Sequence, residues 1–215
     1  MSLIDKLSFS IIEKRLNKAY SNKFKEFGIS PKSVFWKNRF TQDLRLELII
    51  KLLLQFKSLY NIKISDVGCG YGRLLEKLHD YKILALNEYY GIDINQDFIS
   101  LCQSKFKNKN IIFKKATTPP CKVDFTIMSG TYNLCTFNNI EIWEKYLCSC
   151  LSKNWKKTKK AMIFNLLEKN ERVISGGLYY SNTNWIKKFC EINFGETKIT
   201  KSNLLPDDIL IIVRR

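Results

Sequence analysis

The stretch Asp66-Val67-Gly68-Cys69-Gly70-Tyr71-Gly72 constrains this chain more than any other. It follows a short β-branched run, Ile62 to Val67, and leads directly into a helical pattern, Arg73 to Leu78. Strand, glycine loop and helix in that order make a site for a nucleotide-like ligand. Glycines let the backbone turn tightly and approach a ligand with no Cβ in the way. The helix behind them offers unpaired N–H groups and the positive end of its dipole. The spacing excludes the dinucleotide fingerprint G-x-G-x-x-G, which needs a third glycine at position 73, where Arg73 stands.

A second apolar run, Tyr89-Tyr90-Gly91-Ile92-Asp93-Ile94, ends on an acid 21 residues beyond Gly72. An acid about 20 residues past the loop, at the tip of the next strand, suits a ribose hydroxyl pair. The plain alternative for Asp93 is a strand-end acid capping the next helix.

Gly68-x-Gly70-x-Gly72 with Asp66 two residues ahead resembles motif I of the class I S-adenosylmethionine-dependent methyltransferases. In that family the acid at the place of Asp93 holds the cofactor ribose. The resemblance implies S-adenosylmethionine as cofactor and methyl transfer as the reaction.

Composition narrows the class. At 215 residues, 45% hydrophobic and 13% aromatic, the chain has enough apolar material for one packed domain. The longest apolar run, Leu48 to Leu54, carries Lys51 and falls far short of the roughly 20 residues of a membrane span. No signal-peptide pattern opens the chain, so a cytoplasmic location is expected. Seven cysteines, an odd number scattered along the chain, read as reduced thiols rather than a disulfide scaffold. With a single histidine, His79, no metal site is expected.

The net charge of +16 raises a nucleic-acid partner as an alternative. The excess is spread, at +7 over residues 1–60, +3 over 61–130 and +6 over 131–215. Lysines number 29 and arginines 7, so the usual base and phosphate fork is scarce. Coding bias and solvated lysine faces account for the charge more simply.

Phe9, Ile12, Leu16, Tyr20, Phe24 and Phe27 fall at helical spacing and predict an amphipathic helix ending at Gly28. Ser30-Pro31 breaks that pattern, and Thr41 is a cap candidate for a long helix reaching about Tyr60. A helix over Gln96 to Phe106 and strands over Ile111 to Lys115, Val123 to Ser129 and Ala161 to Leu167 follow. Pro119-Pro120-Cys121 precedes the fourth strand and is a turn. Residues 168–180, with Gly176-Gly177 and Tyr179-Tyr180, read as a flexible aromatic loop able to cover a pocket. A helix to Ile192 and a hairpin, Glu196 to Thr200 with Asp208 to Val213, close the chain.

Several of these segments are similar to a small bacterial methyltransferase group: Trp36…Gln42…Arg45, Ser129-Gly130-x-Tyr132-Asn133, Phe164-Asn165 and Leu205-Pro206-Asp207-Asp208-Ile209. The likeness runs from about Trp36 to the C-terminus, and in that group the Trp36 segment closes over the cofactor. It implies a Rossmann-like α/β fold with a mainly parallel seven-stranded sheet, an antiparallel C-terminal strand and helices on both faces. Residues 1–40 would be a helical extension or lid and 41–215 the methyltransferase domain. Cofactor contacts are expected from Asp66, Gly68, Cys69, Gly70, Gly72, Asp93, Ile94, Ser129, Gly130, Trp36 and Arg45. No acid follows the third strand at Lys115-Ala116-Thr117-Thr118, so the adenine contact stays unassigned.

The loop after the fourth strand carries neither the Asn/Asp-Pro-Pro-aromatic motif of base-amino methylation nor a Pro-Cys nucleophile. A small-molecule acceptor is therefore the expected partner. Tyr132, Asn133 and Tyr180 are its orienting candidates, with Asn165 and Glu168 behind them. The alternatives are an RNA-modifying enzyme and a cofactor-binding protein without catalysis, and the oligomeric state is open.

Overall fold

The structure is a computed structural model and describes residues 2–83 and 88–215. Among the described residues nine strands form one sheet: β1 (Lys63–Val67), β2 (Glu88–Asp93), β3 (Ile111–Lys115), β4 (Val123–Met128), β5 (Thr158–Glu168), β6 (Val173–Ser175), β7 (Leu178–Ser181), β8 (Glu196–Ser202) and β9 (Leu205–Arg214). The first five run parallel in the order β3-β2-β1-β4-β5. Strand β9 pairs antiparallel with β5 and carries β8 on its outer edge. Those seven strands match the expected sheet, and the order reverses beside β1, where such sheets bind ligands.

The alternation along β5 explains its continuous apolar run. Met162, Phe164 and Leu166 enter the core on one face, and Ala161 and Ile163 enter it on the other. Strand β9 divides the same way, with Ile209, Ile211 and Val213 against Leu210 and Ile212. Helices α1 (Leu3–Phe27), α5 (Ile140–Trp155) and α6 (Thr183–Asn193) cover the first face. Helices α2 (Arg39–Leu53), α3 (Arg73–Asp80) and α4 (Gln96–Lys105) cover the second.

Two expectations are corrected. Helix α2 stops at Leu53, not near Tyr60. Its cap is Asn38, whose side chain accepts from Thr41 N at 2.9 Å. The chain must turn after Leu54 to enter β1, and Phe56 packs edge-on against Phe125, centroids 4.8 Å apart. The segment read as a flexible aromatic loop is instead the β6–β7 hairpin. Gly176 and Gly177, at φ +58° and +75°, supply the two left-handed central residues of a tight turn. Leu167 pairs with both Asp208 of β9 and Tyr180 of β7, so the hairpin extends the sheet on the β4 side, past the end of β4.

Helix α1 starts on a capping box, Ser2 with Asp5, and buries Phe9, Ile12 and Leu16. It ends at Gly28 (φ +58°), and a short 3-10 turn, Pro31–Val34, carries the chain across the sheet's carboxyl edge. No helix among the described residues is long and apolar enough to cross a membrane.

Candidate active site

The glycine loop folds back on the next strand. Gly68 N and Cys69 N both donate to Ile92 O, at 2.7 and 3.0 Å. Gly70 N donates to Asp93 Oδ2 at 2.9 Å, and Asn95 N donates to Asp93 Oδ1 at 2.8 Å. Each carboxylate oxygen thus holds one backbone N–H and keeps a lone pair for a ligand hydroxyl. Burial raises the Asp93 carboxyl to about 6, against the pull of those N–H donors. Asp66 is also raised, to about 7, by burial, although Tyr89 Oη donates to it at 2.6 Å.

Three glycines are required here on steric grounds. Gly68 sits at φ +82°, and a Cβ on it would stand 2.7 Å from Thr131 Oγ1. A Cβ on Gly70 (φ +51°) would meet Val34 Cγ1 at 3.0 Å. Gly72 (φ +86°) caps α3, and its Cβ would meet Phe106 at 2.6 Å. Helix α2 is fastened beside the loop. Arg73 donates to Asp43 at 2.7 and 2.5 Å, and Tyr71 Oη donates to Gln42 Oε1.

Above the loop lies a cavity of about 100 Å³. Of the expected cofactor contacts, Trp36, Asp66, Gly68, Cys69, Gly70, Asp93, Ile94, Ser129 and Gly130 all line it. Gly72 does not; it lies behind the loop, where it shapes the turn into α3. Tyr132 lines the wall with Tyr146 and Cys150 of α5, and burial pushes its phenol well above the ordinary range. Ala116 and Thr117 supply the wall after β3. Ser129 Oγ is buried with no partner in the protein.

Residues 1–33 lie outside the segments similar in sequence to the bacterial group, yet they contribute to this wall. Leu16 and Tyr20 of α1 face the cavity, and Asn95 Nδ2 donates to Asn17 Oδ1 at 3.0 Å and Ser21 Oγ at 2.8 Å. Asp93 adds to burial in raising the Tyr20 phenol. The signal available in the sequence was the helical stripe that includes Leu16 and Tyr20.

A second cavity, of about 380 Å³, meets the first at Tyr20, Val34, Trp36 and Gly130. Arg45 and Asn133 line this one rather than the glycine-loop cavity. The placement of Arg45 has a clear cause: it forms a buried ion pair with Asp208, Nε donating at 2.6 Å. Asn165 Nδ2 donates to the other Asp208 oxygen at 2.7 Å, and Asn165 Oδ1 accepts from Gly130 N at 2.6 Å. The Arg45 guanidinium lies 4.0 Å from the centre of the Trp36 ring. Burial lowers the Arg45 pKa and raises that of Asp208, while their pairing opposes both shifts. Trp36, Arg45, Asp208, Asn165 and Gly130 therefore form one chain of contacts behind the loop that follows β4.

Tyr180 lines neither cavity. Its ring sits under Lys169, whose Nζ is 4.1 Å from the ring centre, and β7 holds it between β5 and β6, paired with Leu167 and Val173. Glu168 is held by Thr183 and Lys201. His79 is an exposed residue of α3.

Residues 65–150 match the family model described as "Methyltransferase domain". The curated protein "Putative methyltransferase Rv1506c" of Mycobacterium tuberculosis is 22% identical over 157 residues, covering 71% of this chain and 92% of that protein. Among solved structures, the magnesium protoporphyrin IX methyltransferase of Synechocystis PCC 6803 with bound SAH superposes with a TM-score of 0.67. It is 14% identical, with 97% of this chain and 99% of that one covered. A Leishmania major SAM-dependent methyltransferase gives 0.69 at 10% identity, covering 92% and 82%. Residues 65–150 thus resemble a methyltransferase domain, and the strand order gives the chain the fold of these solved methyltransferases.

Proposed function

We propose that this protein methylates a small-molecule acceptor, with S-adenosylmethionine held in the glycine-loop cavity. The observation that carries the cofactor assignment is Asp93. It is buried, held by two backbone N–H groups, and has acceptor capacity left for a ribose diol. The unpartnered Ser129 Oγ and the glycine cradle fit the same ligand. When bound, the cofactor supplies an electrophilic methyl group on a sulfonium.

The chain's own residues align rather than activate. Gly68 to Gly70 admit the ligand against bare backbone, and Asp93 fixes its sugar. Gly130, pinned by Asn165, sets the loop past which the acceptor must approach. Positioning of this kind can contribute roughly 7–11 kcal/mol to a bimolecular transfer. Residues 1–40 serve as the cover: α1 and the turn at Pro31–Val34 bring Leu16, Tyr20, Val34 and Trp36 over the cofactor.

The small-molecule reading is favoured by the second cavity beside Gly130, whose lining is mostly apolar side chains, Trp36, Leu134, Leu167, Leu178 and Leu205 among them. The net charge of +16 favours the other reading, an RNA acceptor. Titration calorimetry of the purified protein with S-adenosylmethionine tests the first half: a saturable heat is expected, and none from folded protein would end the proposal. A salt series with tRNA or rRNA tests the second. Weak, nonspecific binding is expected, and a steep salt slope with turnover of RNA would replace the small-molecule reading.

A further inference from the structure

Helix α1 has an inner and an outer face of different character. Its buried side chains, Phe9, Ile12 and Leu16, fall at about 180–240° around the helix from Leu3, counting about 100° per residue. On the other side Leu3, Leu7, Ile11 and Ile4 share an arc of about 100°. They are 82%, 64%, 37% and 76% exposed. Four such side chains on successive turns make a patch on the order of a few hundred Å², a size at which exposed apolar surface marks a partner site.

The same arc turns basic where the apolar residues end. Lys14, Lys18 and Lys25 fall at about 20°, 60° and 40° on the same scale, and all three are exposed. None of them forms an ion pair among the described residues. The acids of the helix are engaged elsewhere. Asp5 closes the capping box with Ser2, and Glu26 pairs with Lys23 at 2.8 Å. Glu13 accepts from Tyr146 Oη of α5 at 3.5 Å. The outer arc therefore has an apolar end about 12 Å long and a basic stretch about 16 Å long, with no carboxylate in it.

We propose that this outer face of α1 docks on an anionic lipid surface, with Leu3, Ile4, Leu7 and Ile11 at the boundary of headgroups and acyl chains and Lys14, Lys18 and Lys25 on lipid phosphates. A second copy of the chain could cover the apolar end, but its own outer face has no carboxylate to offer the lysines. A lipid surface satisfies both halves at once. Phe9, Ile12 and Leu16 stay packed on the domain meanwhile, so docking needs no unfolding of α1. The contact is peripheral, since no helix among the described residues can cross a bilayer.

The test sediments the full chain with vesicles of pure phosphatidylcholine and with vesicles of phosphatidylcholine mixed with phosphatidylglycerol. Binding to the mixed vesicles should be at least about tenfold tighter and should weaken as salt rises. The double variant Leu3→Ser, Leu7→Ser keeps every charge and should bind them about tenfold or more weakly. Lys14→Gln, Lys18→Gln should lose a similar factor and flatten the salt dependence. All four positions are exposed, so both variants should melt with the wild-type protein. Undiminished binding by Leu3→Ser, Leu7→Ser would mean that net charge alone attracts the protein, and would overturn the assignment. So would equal binding to both kinds of vesicle, or binding to neither. A dimer in gel filtration that Leu3→Ser, Leu7→Ser dissolves would give the face to a second copy instead.

Discussion

The two cavities are adjacent, but they are built in opposite ways. The glycine-loop cavity takes its key polar contacts from residues 66–95, and Asp93 reaches Gly70 across 23 positions. The cavity beside it is assembled from distant segments, with Arg45 reaching Asp208 across 163 and Asn165 reaching it across 43. The first depends on local backbone shape, and the second on the whole sheet being closed. A change in the wall of the second cavity should therefore be felt as global stability, and a change in the glycine loop as ligand affinity.

Asp208→Ala gives the sharpest contrast. Both partners of the pair are less than a tenth exposed, so removing the carboxylate strands a buried guanidinium and leaves Asn165 without its acceptor. Stability should fall by about 3–5 kcal/mol in chemical denaturation. Replacing both Arg45 and Asp208 by apolar residues should recover most of it. A loss below about 1 kcal/mol for the single change would mean the chain of contacts does not hold the Gly130 loop.

Gly68→Ala works from the other side. The left-handed φ and the 2.7 Å approach to Thr131 Oγ1 strain the loop locally, and such strain is worth about 1–3 kcal/mol. Affinity for S-adenosylmethionine should drop about tenfold or more, with a smaller loss of thermal stability than in Asp208→Ala. The reverse ranking would break the local-versus-assembled distinction.

That distinction also decides what the sequence could disclose. The glycine spacing, the strand-end acid Asp93 and the alternation of strands and helices were legible because each depends on neighbours within a few tens of residues. The apolar run of β5 likewise announced a strand buried on both faces. Tyr180 illustrates the failure: two glycines before two tyrosines suggested a mobile aromatic cover. The same glycines instead close a hairpin that pairs with β5 and turns Tyr180 toward Lys169. Only the partner strand, some ten residues upstream, settles which occurs. Arg45 was legible as a special residue but not in its role, since nothing near it in sequence indicates Asp208. The α1 contribution through Leu16 and Tyr20 was readable only as an apolar helical stripe.

Asp93→Asn is the milder probe of the glycine-loop cavity. It keeps one carbonyl oxygen but replaces the other acceptor by a donor facing Gly70 N. Cofactor affinity should fall about tenfold, in line with the worth of a charge-assisted hydrogen bond, while the unfolding midpoint moves little. Unchanged affinity would remove Asp93 from the ribose.

The finest test is pH, because it should move stability and affinity in opposite directions through the same carboxylates. Asp66 and Asp93 are raised by burial to about 7 and about 6, against about 3.9 in an unfolded chain. Between about pH 4 and 7 the native protein therefore holds more protons at these two sites than the unfolded chain does. Their contribution to stability is fully present below about pH 4 and is lost as pH rises through 6 to 7. Ribose hydroxyls, however, donate best to an ionised Asp93, so cofactor affinity should weaken as pH falls below about 6. In thermal melts the apo midpoint, corrected with an Asp66→Asn, Asp93→Asn variant, should decline from pH 5 to 8. The extra stabilisation from S-adenosylmethionine should grow over the same range. If both moved in the same direction, the buried carboxylate facing the cavity would not be the group that reads the cofactor.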